Sequence, residues 1–363
     1  MNQFGTQIRC TIFGQSHGTA IGIVMDGMPV GEQIDLEALD RFLALRAPGK
    51  TPWVTARREP EQIEWLSGME QGCICSPAVC AVLRNEDIQD EAYAALKKKP
   101  RPSHADYPAR IKYGNACDLR GGGAFSGRLT APLCIAGGIA LQLLERRGIA
   151  VGCHFASIGT VEDAAFSPIE DERALLGRLA ENAFPVMDPA AEQAMKQLLE
   201  TVAGRGDSVG GVIECKAVGL PCGLGNPMFS GLENELSRMI FGIPAVKGME
   251  FGDGFAGSRS FGSEYNDSYF YDENGNVRTE TNHSGGICGG MSTGMPLLFR
   301  VAVKPTPSIA AVQKTVDLEQ RKNTEIEIRG RHDPCVALRA AAAVRAAAGF
   351  VIWDLLSGEQ PGE

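Results

Sequence analysis

The segment from Ser126 to Arg147 is apolar on nearly every side when it is drawn as a helix, and Gly148 follows it. A helix that is apolar all round has to be covered by other elements in every direction. Serine favours the first turn of a helix, and glycine favours the position just after its end. The segment therefore predicts a long central helix that is buried by the rest of the fold.

The rest of the chain alternates between strand-like and helix-like patterns. Strands are predicted at 8–13, 20–25, 149–159, 210–219 and 297–303, with two or three short strands inside 62–83. Helices are predicted from a cap at Asp35 to Arg46, at 170–183, 189–203 and 230–241, and from Asp333 to about Leu356. Residues 95–125 and 252–294 are expected to form loops, with one hairpin turn at 273–276. The pattern indicates an α/β (α+β) chain without a clear linker or repeat, and hence a single domain over 1–363.

Composition narrows the kinds of partner that the chain can have. A net charge of -9 argues against non-specific binding to nucleic acid. The 11 cysteines lack the paired spacing of a zinc site, so reduced thiols and no bound metal are expected. The N-terminus lacks the pattern of a leader, and no apolar run is expected to reach the roughly 18 residues that a membrane span needs. We therefore expect a cytoplasmic protein with neither nucleic acid nor membrane as a partner.

Histidine is scarce and its positions are informative. The chain has 5 histidines, and three of them lie in short motifs at Gly14–Gly18 (GQSHG), Arg101–Tyr107 (RPSHADY) and Gly330–Cys335 (GRHDPC). Arginine, serine, aspartate or glycine accompanies each of these histidines, as in sites that bind anions and transfer protons near neutral pH. Each motif also has a structural interpretation: the first is a polar turn, and in the third Asp333 caps the last helix with Pro334 in its first turn.

Two further segments have the composition of anion-binding loops. Arg120–Arg128 places four glycines and two arginines at the start of the central helix, where free backbone N–H groups and the helix dipole favour phosphate. Lys304–Ser308 follows a strand and could hold an anion, or it could be a stiff exit loop. Neither segment has the spacing of a Walker loop or of a dinucleotide-binding fingerprint.

The order and spacing of these motifs resemble the chorismate synthase family along nearly the whole chain. The matching stretches are Phe13–Gly18, Arg57–Pro60, Arg101–Tyr107, Lys112–Gly114, Gly206–Gly210, Ala245–Gly248, Phe251–Phe255, Lys304–Thr306 and Gly330–Cys335.

The resemblance implies a fold and a reaction. The family fold is a single-domain β-α-β sandwich with central buried helices between the sheets, and the usual assembly is a homotetramer. The family reaction is the trans-1,4-elimination of phosphate from 5-enolpyruvylshikimate 3-phosphate to give chorismate, the last step of the shikimate pathway. It requires reduced FMN, with NADPH as a possible reductant.

The resemblance also assigns roles to residues of this chain. His17 would be the acid near the reduced flavin and the leaving phosphate, and His104 would manage protonation around the enolpyruvyl side chain. Asp333 would help to transfer the C6 proton through flavin N5, while Ser16 and Ser126 would hold these groups in position. Substrate anions would contact Arg46, Arg128, Arg331 and Arg339. The cofactor would contact Arg46, Ala124, Phe125, Ser126, Pro244, Ala245, Gly289, Lys304, Pro305, Thr306, Pro307, Ser308 and Arg331.

The chain departs from the usual family pattern at six positions near these motifs: Gln15, Leu45, Ala47, Pro52, Ala124 and Pro244. Because several of them replace arginines, a non-catalytic relative that binds FMN or phosphate is an alternative function. A metal-dependent phosphohydrolase built on the same histidines is a third, but the chain lacks the histidine spacing that such metal sites use.

Overall fold

The structure, a computed structural model, describes residues 2–47, 61–86, 98–328 and 333–358. Three features of the sequence prediction lie outside these described residues. They are the motif Arg57–Pro60, the departure at Pro52, and the pair Arg331–His332.

The first sheet is built from N-terminal strands that alternate buried and exposed side chains. On β3, for example, Ile21, Ile23 and Met25 are fully buried while Val24 is exposed, as a period of two requires. The strands are β1 (Gln3–Phe4), β2 (Arg9–Gly14), β3 (Ala20–Asp26), β4 (Ile63–Ser67), the hairpin β5 (Met69–Glu70) and β6 (Cys73–Ile74), and β7 (Ala78–Arg84). The sheet order is β1-β2-β3-β7-β4, with antiparallel neighbours. The strands at 8–13 and 20–25 are confirmed, whereas 62–83 holds four short strands rather than two or three.

The second sheet is also antiparallel, in the order β11-β16-β10-β8-β9. The later strands are β8 (Ala150–Ile158), β9 (Val161–Glu162), β10 (Gly211–Val218), β11 (Val246–Phe251), β12 (Tyr269–Tyr271), β13 (Val277–Thr279), β14 (Ile287–Cys288), β15 (Met291–Ser292), β16 (Leu297–Val303), β17 (Gln313–Asp317) and β18 (Lys322–Ile326). The hairpin turn predicted at 273–276 is confirmed between β12 and β13, where Asp272 Oδ1 accepts the backbone N–H groups of Asn274 and Asn276.

Two long helices form the layer between the sheets. The helices are α1 (Leu36–Arg46), α2 (Asp106–Tyr113), α3 (Thr130–Arg146), α4 (Arg173–Glu181), α5 (Pro189–Gly204), α6 (Leu232–Ile240), α7 (Gly254–Gly257), α8 (Gly262–Tyr265) and α9 (Ala337–Gly358). Helix α3 packs along α9, so close that Gly137 faces the backbone of Ala346. Helix α3 contacts the first sheet and α9 contacts β8 and β10 of the second. The central buried helix and the β-α-β sandwich are thus confirmed.

Three details of the sequence prediction were wrong. The segment 95–125 is not only loop: its described part contains α2, which has Asp106 in its first turn and Arg110 and Lys112 in its last, as the helix dipole favours. Ser126 caps a short 3-10 turn, Gly127–Leu129, before α3 begins. Helix α9 begins at Ala337 rather than at Asp333, and the thiol of Cys335 accepts the N–H groups of Ala337 and Leu338.

The expectation about apolar runs was also wrong. The segments Gly127–Arg146 and Ala337–Gly358 are both long and apolar enough to cross a membrane by length and composition. In each, 78% of the apolar window is buried inside the fold, which is the position of a core helix. All 11 cysteines are free thiols.

Candidate active site

The triple-glycine turn lies between two histidines. A Cβ on Gly121 would overlap the imidazole of His17, and a Cβ on Gly122 would lie 3.5 Å from His104 Nε2. Both glycines have positive φ, +58° and +93°, which other residues rarely adopt. The glycines therefore bring two imidazoles, 87 residues apart in sequence, to neighbouring surfaces of one turn.

The loop after β2 buries the first of these histidines. Ser16 is 0% exposed and His17 is 5% exposed, so the loop is not a solvated polar turn. The backbone N–H of Ser16 donates to the carbonyl of Gly123 at 3.2 Å, which ties the loop to the glycine turn. Within the described residues, Ser16 Oγ has no hydrogen-bond partner. Because buried hydroxyls are normally satisfied, this one is available to a ligand.

The second histidine is held by its neighbour two residues on. His104 Nδ1 lies 2.6 Å from Asp106 Oδ1. Burial would raise the pKa of Asp106, but hydrogen bonds from Arg101 and His104, together with their charges, hold it well below its usual range. A charged Asp106 accepts the proton on Nδ1, which leaves Nε2 toward Gly122 as the nitrogen that exchanges a proton.

A buried arginine fixes Asp106. Arg101 Nε and Nη2 each lie 2.7 Å from one oxygen of that carboxylate, in a bidentate pair. Its Nη1 donates to Ser308 Oγ at 3.1 Å. Arg101 thus joins the His104 motif to the segment Lys304–Ser308.

Two buried arginines converge on one carboxylate beside the glycine turn. Arg46 Nη1 donates to Glu61 Oε1, and Arg128 Nη1 donates to the same oxygen at 2.6 Å. Their side chains are 0% and 2% exposed. Burial lowers the pKa of Arg46 to about 10, a shift that Glu61 opposes and that the charges of Arg339 and Arg128 reinforce. Arg46 therefore stays charged at neutral pH.

A third arginine extends the cluster to the last helix. Arg339 Nε donates to the carbonyl of Arg46 at 3.2 Å, and its Nη1 donates to Asp333 Oδ2 at 3.1 Å. Among the described residues, three guanidinium groups thus share the carboxylates of Glu61 and Asp333 in a largely buried volume. Arginines gathered in this way favour an anionic ligand.

The segment after β16 closes the His104 side of the site. Lys304 Nζ donates to the carbonyl of Ser103, and its backbone N–H donates to the carbonyl of Ala245 at 3.0 Å. Ser103 and Ala245 have φ of +57° and +76°, which is unfavourable for residues with a Cβ and is commonest at functional sites. Burial, with the charge of Lys247, lowers the pKa of Lys304.

Thr306 Oγ1 and Arg46 Nη2 are among the other buried polar atoms without a hydrogen-bond partner within the described residues, as is the acceptor Glu61 Oε2. With Ser16 Oγ, the first two give three unsatisfied donors in the segments of this site. Oxygen-rich anions, such as the phosphates and carboxylates of a substrate or a flavin phosphate, match this set of donors.

Among the residues that the resemblance implicates, Gly289 lies at the opposite end of α6 from Ala245. Gly289 is exposed in the β14–β15 turn beside the N-terminus of α6, where Gly290 accepts the N–H of Leu232. Pro244 and Ala245 follow the other end of α6, which is 9 residues long and so about 13 Å. Ala124 is exposed, and the ring of Phe125 lies 6.5 Å from that of Tyr113.

Sequence reasoning did not single out four residues of the site. Glu61 accepts a hydrogen bond from Arg128 and so offsets its charge. Asn85 contacts both Arg128 and the His17 loop. Arg101 fixes Asp106. Asp118 pairs with Arg120 and so braces the glycine turn. The pairing of Arg120 lowers the pKa of Asp118, and the charge of His17 adds to this. Of these residues, Asn85 could have been found from the sequence, because it is a polar residue directly after the apolar strand β7.

A family model described as chorismate synthase matches residues 8–356. The chain is 42% identical over 353 residues to the chorismate synthase of Korarchaeum cryptofilum, covering 97% of this chain and 96% of that protein. It is 43% identical over 352 residues to the chorismate synthase of Thermococcus kodakarensis, with the same coverages.

A solved structure described as a crystal structure of chorismate synthase shares the fold. Its TM-score is 0.75 at 24% sequence identity, and the match covers 97% of this chain and 92% of that one. With a family model spanning nearly the whole length and relatives above 40% identity, the chain belongs to the chorismate synthase family.

Proposed function

We propose that this protein catalyses the chorismate synthase reaction, in which 5-enolpyruvylshikimate 3-phosphate loses phosphate from C3 and a proton from C6. The observation that carries this proposal is the pairing of two histidines across one glycine turn, next to a cluster of buried arginines. Both features suit a reaction that expels phosphate and moves a proton.

The arginine cluster supplies the binding of substrate anions. The substrate carries a phosphate and two carboxylates, and Arg46, Arg128 and Arg339 lie within one hydrogen-bonded group. Arg46 Nη2 is unused by the described residues and can donate to such an anion. Arg331 remains a candidate by resemblance.

His17 is proposed to protonate the departing phosphate. Its burial removes competing water, so that a proton on the imidazole is transferred to a bound oxygen rather than to solvent. Ser16 Oγ, adjacent and without a partner in the described chain, orients that oxygen. The cap that Ser126 forms on the backbone of Arg128 fixes the start of the following turn.

His104 is proposed to exchange a proton with the enolpyruvyl side chain through Nε2, because Asp106 holds Nδ1. Asp333, held by Arg339 at 3.1 Å, is proposed to take part in the removal of the C6 proton as a carboxylate. The guanidinium of Arg339 holds one oxygen of this carboxylate in place.

The residues present fit a flavin phosphate and ring. Thr306 Oγ1, the Lys304 ammonium and the half-buried Phe125 lie in segments that the resemblance assigns to FMN, and the hydroxyl is unsatisfied by the described residues. When bound, reduced FMN would lend electron density to the breaking C–O bond and recover it, with no net redox change. NADPH is proposed as a reductant of the free flavin.

We further propose that the whole chain is one catalytic domain that works in the cytoplasm as a homotetramer, without membrane or nucleic acid. Motifs from both ends meet in one site, which supports the single domain. Large side chains that are at least 74% exposed lie between residues 228 and 271, and we propose that assembly covers them. They are Met228, Phe229, Phe255, Phe261 and Tyr271.

Replacement of His17 tests the proposed chemistry. His17→Ala should lower turnover of 5-enolpyruvylshikimate 3-phosphate by roughly 100-fold or more, as loss of an acid/base group does. Binding of reduced FMN and the melting temperature should change little. The control is His283→Ala, because His283 pairs with Asp253 outside the site. Near-wild-type turnover by His17→Ala would remove this residue from the mechanism.

A further inference from the structure

One amide side chain joins the His17 loop to the arginine cluster. Asn85 follows the last residue of β7 and is 8% exposed. Its Nδ2 donates to the carbonyls of Gln15 and Gly18 at 3.0 and 2.8 Å. Its Oδ1 accepts from Arg128 Nε at 3.2 Å. The partners fix the orientation of the amide, because carbonyl oxygens only accept and a guanidinium only donates.

The two ends of this amide lie on different parts of the site. The two carbonyls on the donor side flank Ser16 and His17 on their short loop. On the acceptor side, Arg128 also donates to Glu61 and so belongs to the group that holds the substrate anions. Since the amide is planar and rigid, a change in the position of the guanidinium moves the loop as well.

The backbone of Asn85 adds to the same connection. Its N–H donates to the carbonyl of Thr19 at 3.2 Å, just after the loop. The other described backbone tie of the loop to the rest of the site is from Ser16 to Gly123. Asn85 therefore contributes three of the hydrogen bonds that determine where His17 lies.

We propose that Asn85 is a positioning residue that couples anion binding at Arg128 to the placement of the acid His17. The proposal rests on the function proposed above. Anion binding that holds the Arg128 guanidinium also holds the loop, so that His17 is ordered when there is a phosphate to protonate. Asn85 itself contacts neither substrate nor cofactor in this account.

Asn85→Asp separates the two ends of the amide. The aspartate keeps an oxygen that accepts from Arg128, but it replaces both donors with an oxygen that faces two carbonyls. We expect inorganic phosphate to bind this variant still, while kcat falls on the order of 10- to 100-fold with KM near that of the wild type, as misplacement of a catalytic group gives. Asn182→Asp is the matched control, because its Oδ1 accepts from Phe184 and an aspartate oxygen can do the same.

Hydrogen exchange of residues 14–19 measures the coupling without turnover. Saturating inorganic phosphate should slow this exchange in the wild type and in Asn182→Asp, but not in Asn85→Asp, whose loop should exchange faster from the start. If Asn85→Asp fails to fold, Asn85→Ala allows the same comparison without the added charge.

Double variants distinguish positioning from general loss of structure. In a His17→Ala background, Asn85→Asp should have little further effect on kcat, because residues that act through one another are not additive. Equal loop protection by phosphate in the wild type and Asn85→Asp, or fully additive losses of kcat, would overturn the proposal. A wild type that shows the phosphate-dependent protection but forms no chorismate would instead refute the proposed function and leave the coupling in place.

Discussion

The position of the His17 imidazole depends on a single glycine of the glycine turn. Gly121 combines a left-handed backbone with direct contact to the imidazole, so that a side chain there is excluded twice, by conformation and by space. Gly148, which follows α3, has a similar φ of +76°, but no heavy atom lies within 4 Å of the point where a methyl group would stand.

This pair gives a matched prediction for the site. Gly121→Ala should lower turnover by at least about 10-fold through displacement of His17, whereas Gly148→Ala should cost only the strain of a left-handed residue, about 1 kcal/mol. Steady-state kinetics and urea unfolding of both variants make the comparison. Equal activity of the two variants would show that contact with Gly121 does not position His17.

At the scale of single residues, the sequence predicts which side chains belong to the site better than it predicts which of them contact each other. His17, His104 and Asp333 stand in recognisable motifs, and their chemistry follows from their side chains. Glu61 was not predictable, because its partners Arg46 and Arg128 lie 15 and 67 residues away and only the fold brings them together. Asp106 is suggested by proximity alone, and the 2.6 Å contact with His104 requires the geometry of the start of α2.

At the scale of elements, the crossing of α3 and α9 places the site. Arg339 is in the first turn of α9, and Arg128 is in the turn that leads into α3, so the relative position of the two helices sets the arginine cluster. The helices approach closely because Gly137 has no side chain: a Cβ there would overlap Ala346.

A second matched pair tests this packing. Gly137→Ala should lower the free energy of unfolding by roughly 1–3 kcal/mol, the usual cost of overpacking. Gly177→Ala, in α4 with no heavy atom within 4 Å of the added methyl, should raise it by about 0.5–1 kcal/mol because alanine favours helix. Urea denaturation measures both. A stabilising Gly137→Ala would mean that the helices are not in close contact at this point.

Periodicity predicts the elements with a strong apolar signal and misses the polar ones. Helix α3 is predictable because its sequence is apolar on nearly every side. The structure accordingly buries Thr130–Ala140 without a break. The hairpin of β17 and β18 is missed because its sequences, QKTVD and KNTEI, are mostly polar and exposed. Short amphipathic α2 is missed because glycine, proline and charge surround it, as they do in loops.

At the scale of the whole molecule, the second sheet contains a buried charge network that the proposed chemistry does not use. His154 on β8 is 0% exposed and lies between Asp163 Oδ2, at 2.8 Å, and Glu214 Oε2, at 3.0 Å. Burial would lower the pKa of His154, but the two carboxylates raise it above 6.5. For Asp163, burial alone would raise the pKa, because it disfavours the charged carboxylate. Hydrogen bonds from His154 and from the N–H groups of Met187 and Asp188 instead lower it below 3.8.

The network predicts how stability depends on pH. The contribution of His154 is fully present below about pH 6.5 and is lost as pH rises through its folded pKa, because that pKa is raised. The contribution of Asp163 is present above about pH 3.8 and is lost as pH falls through its lowered pKa. Between about pH 3.8 and pH 6.5 both contributions are present, so His154 and Asp163 together stabilise the folded protein most in this range.

Urea unfolding of the wild type and of His154→Gln from pH 5 to pH 9 measures this effect. The difference in free energy of unfolding between the two proteins should shrink as pH rises. His283→Gln, which changes a more exposed histidine paired with Asp253, is the control for the loss of a histidine outside this network. A difference that stays constant over the range would mean that the pKa of His154 is the same in the folded and the unfolded protein.

The sandwich itself was not derivable from periodicity, since strand order depends on contacts between distant segments. The sandwich was expected from the resemblance to the family, and the structure agrees with it. In the second sheet, β10 pairs with β8 and β16, which are separated by more than a hundred residues. The convergence of motifs from both ends of the chain is likewise a property of the whole fold.

The reaction itself is the most direct test of this account. Wild-type protein, incubated without oxygen with 5-enolpyruvylshikimate 3-phosphate and chemically reduced FMN, should release chorismate and phosphate in equal amounts. Chorismate absorbance and a phosphate assay follow the two products. No product from folded protein that still binds reduced FMN would contradict the account and favour a non-catalytic relative that binds flavin or phosphate.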